Sequence, residues 1–337
     1  MNVTDSLKLH KRAILIDATC PLGSVENYYK LWIEGGVTVM APTVAVDQNC
    51  RETVSLIATW LKKIETSSDE LLLVTSVEDI YRAKRENKLG ILFHFQNSLP
   101  FETDLKLLSL YHRLGVRIIQ LCYNVKNFIG DGCTERTDSG VSEFGINAIR
   151  EMNRVGILVD LSHTGYQTTI EAIKTSEKPV IFSHSNVFEL CPSPRNLKDD
   201  QIKAVAEKDG VIGVVAYPAF VSTKNKATVE DLIDHIEYIR NLVGIRHIGI
   251  GMDYWEGMDG IAALDESKKL YTDLIHTGKW KADCYPPPPW RYPKGIENPS
   301  KFSKLTEALI NRGYSEEEVL LILGENFLRV YKEVWKP

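Results

Sequence analysis

Two of the eight histidines end short apolar segments that follow one another along the chain: GILVDLSH closes on His163, and PVIFSHS carries His184. A third such segment, HIGIGMDY, carries Asp253 near its end. Neutral imidazoles at neighbouring strand ends can share one divalent cation, and a carboxylate beside them can take a proton from an attacking water. Other polar residues end comparable segments: Asp17 and Thr19, Thr43, Gln96, Tyr123 and Asn124, and Tyr217. His94 shares strand parity with Gln96 but sits one layer deeper, so it reads as a core histidine. Asp131, Cys133 and Glu135 fall in the Gly/Asp/Asn-rich stretch YNVKNFIGDGCTERTD, which reads as a structured loop. Cys133 has no base partner identifiable in the sequence, so it is not read as a nucleophile.

Such residues need a scaffold that brings strand ends together. Eight segments rich in Val, Ile and Leu begin at Ala13, Val37, Gly90, Arg117, Gly156, Pro179, Gly210 and His247. Each is too short for a helix and is continuously apolar, the pattern of parallel strands covered on both faces. Amphipathic helix-length stretches begin at Asp104, Phe144, Tyr166, Asp199 and Thr228, several opening on Asp or Thr and several ending in Gly. Alternation repeated eight times predicts an α/β chain folded as a (β/α)₈ TIM barrel, with functional residues at the C-terminal strand ends. No GxGxxG follows a strand, which argues against a dinucleotide-binding sheet.

The reading is one domain over 1–337 with two additions. An insertion at about 44–89 has room for two helices and a short strand at Leu71. A strap at 277–300 contains Pro286 to Pro289, which preclude regular hydrogen-bonded structure and favour an extended strap over the barrel mouth or a dimer face. Two helix patterns, FSKLTEALINRG and SEEEVLLILGENFLRVYKEVW, close the chain, the second opening with a Ser/Glu capping signature.

With 40 Lys+Arg against 45 Asp+Glu, the formal charge is −5, which excludes a protein tracking a nucleic-acid backbone. The apolar run before Asp17 is too short for a secretory or membrane segment, so no membrane partner is expected. The six cysteines form no CxxC pair and read as reduced thiols, in keeping with a cytoplasmic location.

The stretch REMNRVGILVDLSHTGYQTTIEAIKTSEKPVIFSHSNVFELCPSPRNLKDD resembles the membrane (renal-type) dipeptidase family, peptidase family M19 of the amidohydrolase superfamily. The likeness continues through GVIGVVAYPAF and HIGIGMDY to the closing ALINRGYSEEEVLLILGENFLRVYKEV. It implies a (β/α)₈ barrel that hydrolyses dipeptides at a two-zinc site, and commonly a homodimer. Carried over, His163 and His184 match the two histidine ligands of the second zinc, Arg195 the arginine on the substrate carboxylate, and Asp253 the aspartate acting on the water. The chain departs from the family at Thr19 and Pro21, where the first strand should end in a His-x-Asp pair, and at Gln96, where a carboxylate should bridge the metals. Tyr123 replaces a further histidine and retains a donor for a developing oxyanion.

The lost ligands carried most of the negative charge of a two-metal site, so one Zn²⁺ is expected, anchored by His163 and His184 and completed by water with Gln96 or Asp253. The substrate-binding set is Arg195, Tyr123 and Asn124. Three functions stay open: hydrolysis of a dipeptide-like amide, hydrolysis of a different or cyclic amide, and a binding protein that kept the pocket without the chemistry.

Overall fold

The computed structural model describes residues 3–21, 28–224, 226–258, 260 and 262–336. Among the described residues ten strands form one sheet, and every strand pair is parallel. They are β1 (Ile16–Cys20), β2 (Val39–Ala45), β3 (Leu71–Leu73), β4 (Leu89–Ile91), β5 (Phe93–Phe95), β6 (Val116–Gln120), β7 (Leu158–Asp160), β8 (Ile181–Phe182), β9 (Val211–Val214) and β10 (Ile248–Ile250). Each of the eight apolar segments supplies a strand. The segment from Gly90 is interrupted at Leu92, so that β4 pairs with β2 at Val39–Met40 and β5 pairs with it at Thr43 and Ala45. From β2 the neighbours run β5, β6, β7, β8, β9, β10, with β1 on the other side of β2. β3, the short strand of the insertion, pairs with β4 outside this ring.

The ring closes between the first and last strands. Asp253 N donates to Thr19 O at 3.1 Å, and Met252 N donates to the Asp17 carboxylate at 2.8 Å. Trp32 Nε1 gives Asp17 a second donor at 2.8 Å. Asp17 is thereby committed to holding the barrel shut. Burial pushes its carboxyl up to about 7 despite these donors.

Helices cover the outside where the amphipathic stretches predict them: Lys106–Arg113, Glu143–Val155, Tyr166–Thr175, Asp199–Glu207 and Val229–Val243. Thr228 and Asp231 make a capping box, and Gly156 ends its helix at φ 90°. Asp199 lies in the first turn of its helix; the preceding Lys198 holds the cap position. The insertion supplies helices Cys50–Thr66 and Val77–Glu86. A helix at Leu264–His276, ahead of the strap, was not anticipated from the sequence.

The closing helix opens with a Ser315–Glu318 capping box but is not continuous. A wide π turn at Leu321–Glu325 separates Glu316–Leu320 from Asn326–Val334. Gly324 in that turn lies against β1's approach, where a Cβ would stand 2.2 Å from Ile14 O. No helix among the described residues is long and apolar enough to cross a membrane.

Candidate active site

At the C-terminal strand ends, β7 and β8 deliver the two histidines to a common point: His163 Nε2 and His184 Nε2 stand 2.9 Å apart, both side chains buried. His163 reaches this position through a left-handed backbone, φ 64°, and Asn124 and Asp253 share that conformation at 62° and 57°. Asn, Asp and His tolerate the region better than other side chains, and here it turns three strand-end residues toward the barrel mouth.

The hydrogen bonds around the imidazoles fix their tautomers. Asn124 Nδ2 donates to Lys279 O at 3.0 Å, so its Oδ1 faces His163 Nδ1 at 2.7 Å and must accept from it. Tyr285 O–H donates to the same Oδ1 at 3.0 Å. On the other side, Ser183 O–H donates to Asp160 Oδ2 at 2.5 Å, so Ser183 Oγ accepts from His184 Nδ1 at 2.7 Å. Both rings therefore hold their proton on Nδ1, and two Nε2 lone pairs face each other. Neither can donate to the other. Burial, then the Arg195 guanidinium, holds both imidazoles well below the ordinary histidine range, so a shared proton is disfavoured. Two converging lone pairs suit a divalent cation, since each nitrogen can lie about 2.0–2.1 Å from one zinc ion. Among the described residues no group of three or more His, Cys, Asp or Glu side chains gathers as a metal site. The two imidazoles fit a single cation as its nitrogen donors.

Asp160 anchors this arrangement from below. It is fully buried and accepts from Ser162 N, Ser162 Oγ, Ser183 N, Ser183 Oγ and His94 Nε2. Burial alone would raise its carboxyl, but His94 and Ser183 among its partners hold it below the usual carboxylate range. His94 is a core histidine, fully buried with Nε2 3.1 Å from Asp160 Oδ2. Asp160 and Ser183 were not singled out from the sequence. Their signal was the Ser immediately before each strand-end His, in DLSH and FSH.

His163 lies in the wall of a cavity of about 550 Å³ that also presents Gln96, Tyr123 and Asp253. Burial pushes the Asp253 carboxyl up to about 7, raised further by Asp17 and opposed by Arg195 and by the Gln96 amide beside it. Thr43 Oγ1 and Tyr217 O–H are buried polar atoms of this wall without a protein partner among the described residues. Tyr123 stacks on His163 with ring centroids 4.2 Å apart, and its hydroxyl accepts from Trp280 Nε1, leaving the phenolic proton to donate. Trp280 and Tyr285, both in the strap, line this cavity.

Arg195 is not in that wall. It lines a second pocket of about 420 Å³ that meets the first at His163. The guanidinium is buried, packs over Phe220 at 5.2 Å and donates to His184 O at 3.2 Å; Nε has no partner among the described residues. It makes no ion pair among the described residues. Asn124 stands behind His163 and orients it.

In the loop after β6, Cys133 and Glu135 line the Arg195 pocket, whereas Asp131 does not. Asp131 accepts from Thr137 O–H and Ser139 N, and Glu135 accepts from Lys126 N and Arg136 N. Burial pushes the Cys133 thiol up to about 12, which disfavours a thiolate near neutral pH. Thr19 O–H is spent on Ala18 O at 2.7 Å.

The model of the membrane dipeptidase family (peptidase family M19) matches residues 30–282 and 290–336. The chain is 30% identical over 288 residues to the dipeptidase tcpJ of Claviceps purpurea, covering 84% of this chain and 60% of that protein. It therefore spans about 60% of the length of the curated relatives it matches. An amidohydrolase from Pseudomonas aeruginosa superposes with a TM-score of 0.87 at 35% identity, covering 98% of this chain and 99% of the other. The probable dipeptidase PvdM of the same organism gives 0.82 at 19% identity, covering 98% of each, a likeness of fold.

Proposed function

Since the chain belongs to the membrane dipeptidase family, peptidase family M19, we propose that it hydrolyses the amide bond of dipeptides or similarly small carboxylate-bearing amides, using one divalent cation, Zn²⁺ by preference, held by His163 and His184. The observation that carries this reading is the convergence of two unprotonated Nε2 atoms, 2.9 Å apart, beside a cavity whose wall also carries Asp253. A cation bound there supplies Lewis acidity toward the amide carbonyl and makes a nearby water more acidic.

The protein's own groups do the rest. Asp253, with its carboxyl near 7, is poised to accept a proton from the attacking water at neutral pH and return it to the leaving amine. The phenolic proton of Tyr123 and the amide of Gln96 are donors for charge developing on the carbonyl oxygen. Arg195, a buried cation without a counter-ion among the described residues, takes the substrate carboxylate. Asn124 and the Ser183–Asp160 pair hold the two imidazoles in the required tautomer.

The test is a panel of dipeptides incubated with purified protein loaded with zinc or manganese, with metal content measured in parallel. Release of free amino acids at a metal stoichiometry near one supports the reading. Bound metal without hydrolysis of any dipeptide turns it toward a different amide. Absence of bound metal at saturating zinc leaves the binding-protein reading.

A further inference from the structure

The two pockets that meet at His163 differ in chemistry. The pocket with Arg195 carries a second cation, Lys198, over the rings of Tyr166 and Phe188, and presents Ser193 and a Ser185 Oγ without a partner among the described residues. The larger cavity is walled on its outer side by rings and branched chains. Trp280 and Tyr285 are stacked with centroids 4.3 Å apart and planes 11° from parallel, and Trp255 meets Trp280 edge-on at 5.5 Å. At the mouth stand Leu56, from helix Cys50–Thr66, and Leu270, from helix Leu264–His276, with 37% and 39% of their surfaces exposed. Two leucines from separate elements left in water around one opening are a cost that an apolar occupant removes.

We propose that this lobe is a recognition site for a bulky aromatic or apolar group on the acyl side of the scissile amide, the residue N-terminal to it in a dipeptide. The inference rests on the hydrolase reading above for its orientation. With the substrate carboxylate on Arg195 and the amide carbonyl at His163 and His184, the amine portion lies in the pocket of Arg195 and Lys198. The acyl portion crosses His163 into the aromatic lobe. A methyl side chain there leaves most of a 550 Å³ cavity hydrated against ring faces, whereas a phenyl or indole ring displaces that water and finds edge and face partners in Trp255, Trp280 and Tyr285. On the other side of His163 the rings of the second pocket are taken: the Lys198 ammonium lies over Tyr166 and Phe188 at 5.2 and 5.9 Å, and Phe182 is buried, so the preference is directional.

The experiment compares Phe-Gly, Ala-Gly and Gly-Phe. With zinc-loaded protein, kcat/KM for Phe-Gly is expected to exceed that for Ala-Gly and for Gly-Phe at least tenfold. With metal-free protein, calorimetry reads the affinities of the same three dipeptides without turnover and is expected to give the same order. Equal or reversed affinities overturn the inference whatever the activity. The expected order of affinities without any hydrolysis on metal loading upholds the lobe and overturns the hydrolase reading, so the two failures are distinguishable. Trp255→Ala removes one wall, and Leu270→Asp places a charge at the exposed mouth, where folding is least affected. Each is expected to lower the Phe-Gly to Ala-Gly ratio at least fivefold, and an unchanged ratio in both variants overturns the assignment of this lobe.

Discussion

His163 Nε2 and His184 Nε2 lie 2.9 Å apart with neither able to donate to the other, because Asn124 and Ser183 have claimed the Nδ1 protons. A buried pair of facing lone pairs is unfavourable by itself and becomes favourable with a cation between them. The first consequence concerns that cation. His184→Ala is expected to weaken zinc retention at least about 100-fold, read by metal analysis after dialysis, while circular dichroism shows the barrel intact. Unchanged metal content would refute the ligand assignment.

Ser183→Ala leaves both imidazoles in place but deprives His184 Nδ1 of its acceptor and Asp160 of a donor. Zinc affinity is expected to fall about tenfold, the usual scale for losing a partner behind a metal-bound histidine. The thermal midpoint should also drop, because Asp160 keeps its burial and loses a hydrogen bond worth roughly 1.5–3 kcal/mol when made to a charge. An isothermal titration with zinc, beside a melting curve, checks both.

Arg195→Met removes the buried guanidinium and keeps much of its apolar stem. KM for carboxylate-bearing dipeptides is expected to rise about 100-fold, equivalent to about 3 kcal/mol, with a much smaller change for C-terminally amidated substrates. Equal effects on the two substrate classes would remove the proposed role.

Asp253 sets a pH dependence with two opposite signs. Its carboxyl is raised from 3.8 to about 7. As a base it works only when ionised, so kcat/KM should rise with pH and level off above about 7, and Asp253→Asn should abolish that limb with most of the activity. For stability the sign reverses. A raised carboxyl favours the folded state below the unfolded value and loses that contribution as pH climbs through about 7. Metal-free Asp253→Asn should therefore be more stable than the parent at pH 8, by on the order of 2 kcal/mol, with little difference at pH 4. Chemical denaturation at the two pH values decides it.

The barrel was legible because its strands are continuously apolar and bounded by capped amphipathic helices, from GILVDLSH to HIGIGMDY. The histidine pair was legible for the same reason: a polar residue ending a buried strand has few places to point. Arg195 was legible by resemblance alone, and its seat in a separate pocket was not, because loop geometry carries no periodicity. The supports were missed where side chains act through one another. Ser183 looks like an ordinary strand-end hydroxyl until Asp160 is seen to take its proton. The helix Leu264–His276 and the aromatic wall at Trp255 and Trp280 escaped because their order depends on packing over the mouth, and the π turn at Gly324 because it answers the close passage of Ile14.

The bond from Met252 N to the Asp17 carboxylate joins residues 235 positions apart. On the ribosome, the first strand must wait until Met252 has been made before it finds a second edge, and closing so wide a loop is slow. Until then β1 has β2 alone for company, and the approach of Asp253 to its strand-end neighbours has not begun. Ligand binding should consequently be absent from nascent or truncated chains lacking β10, even when their earlier strands have already collapsed.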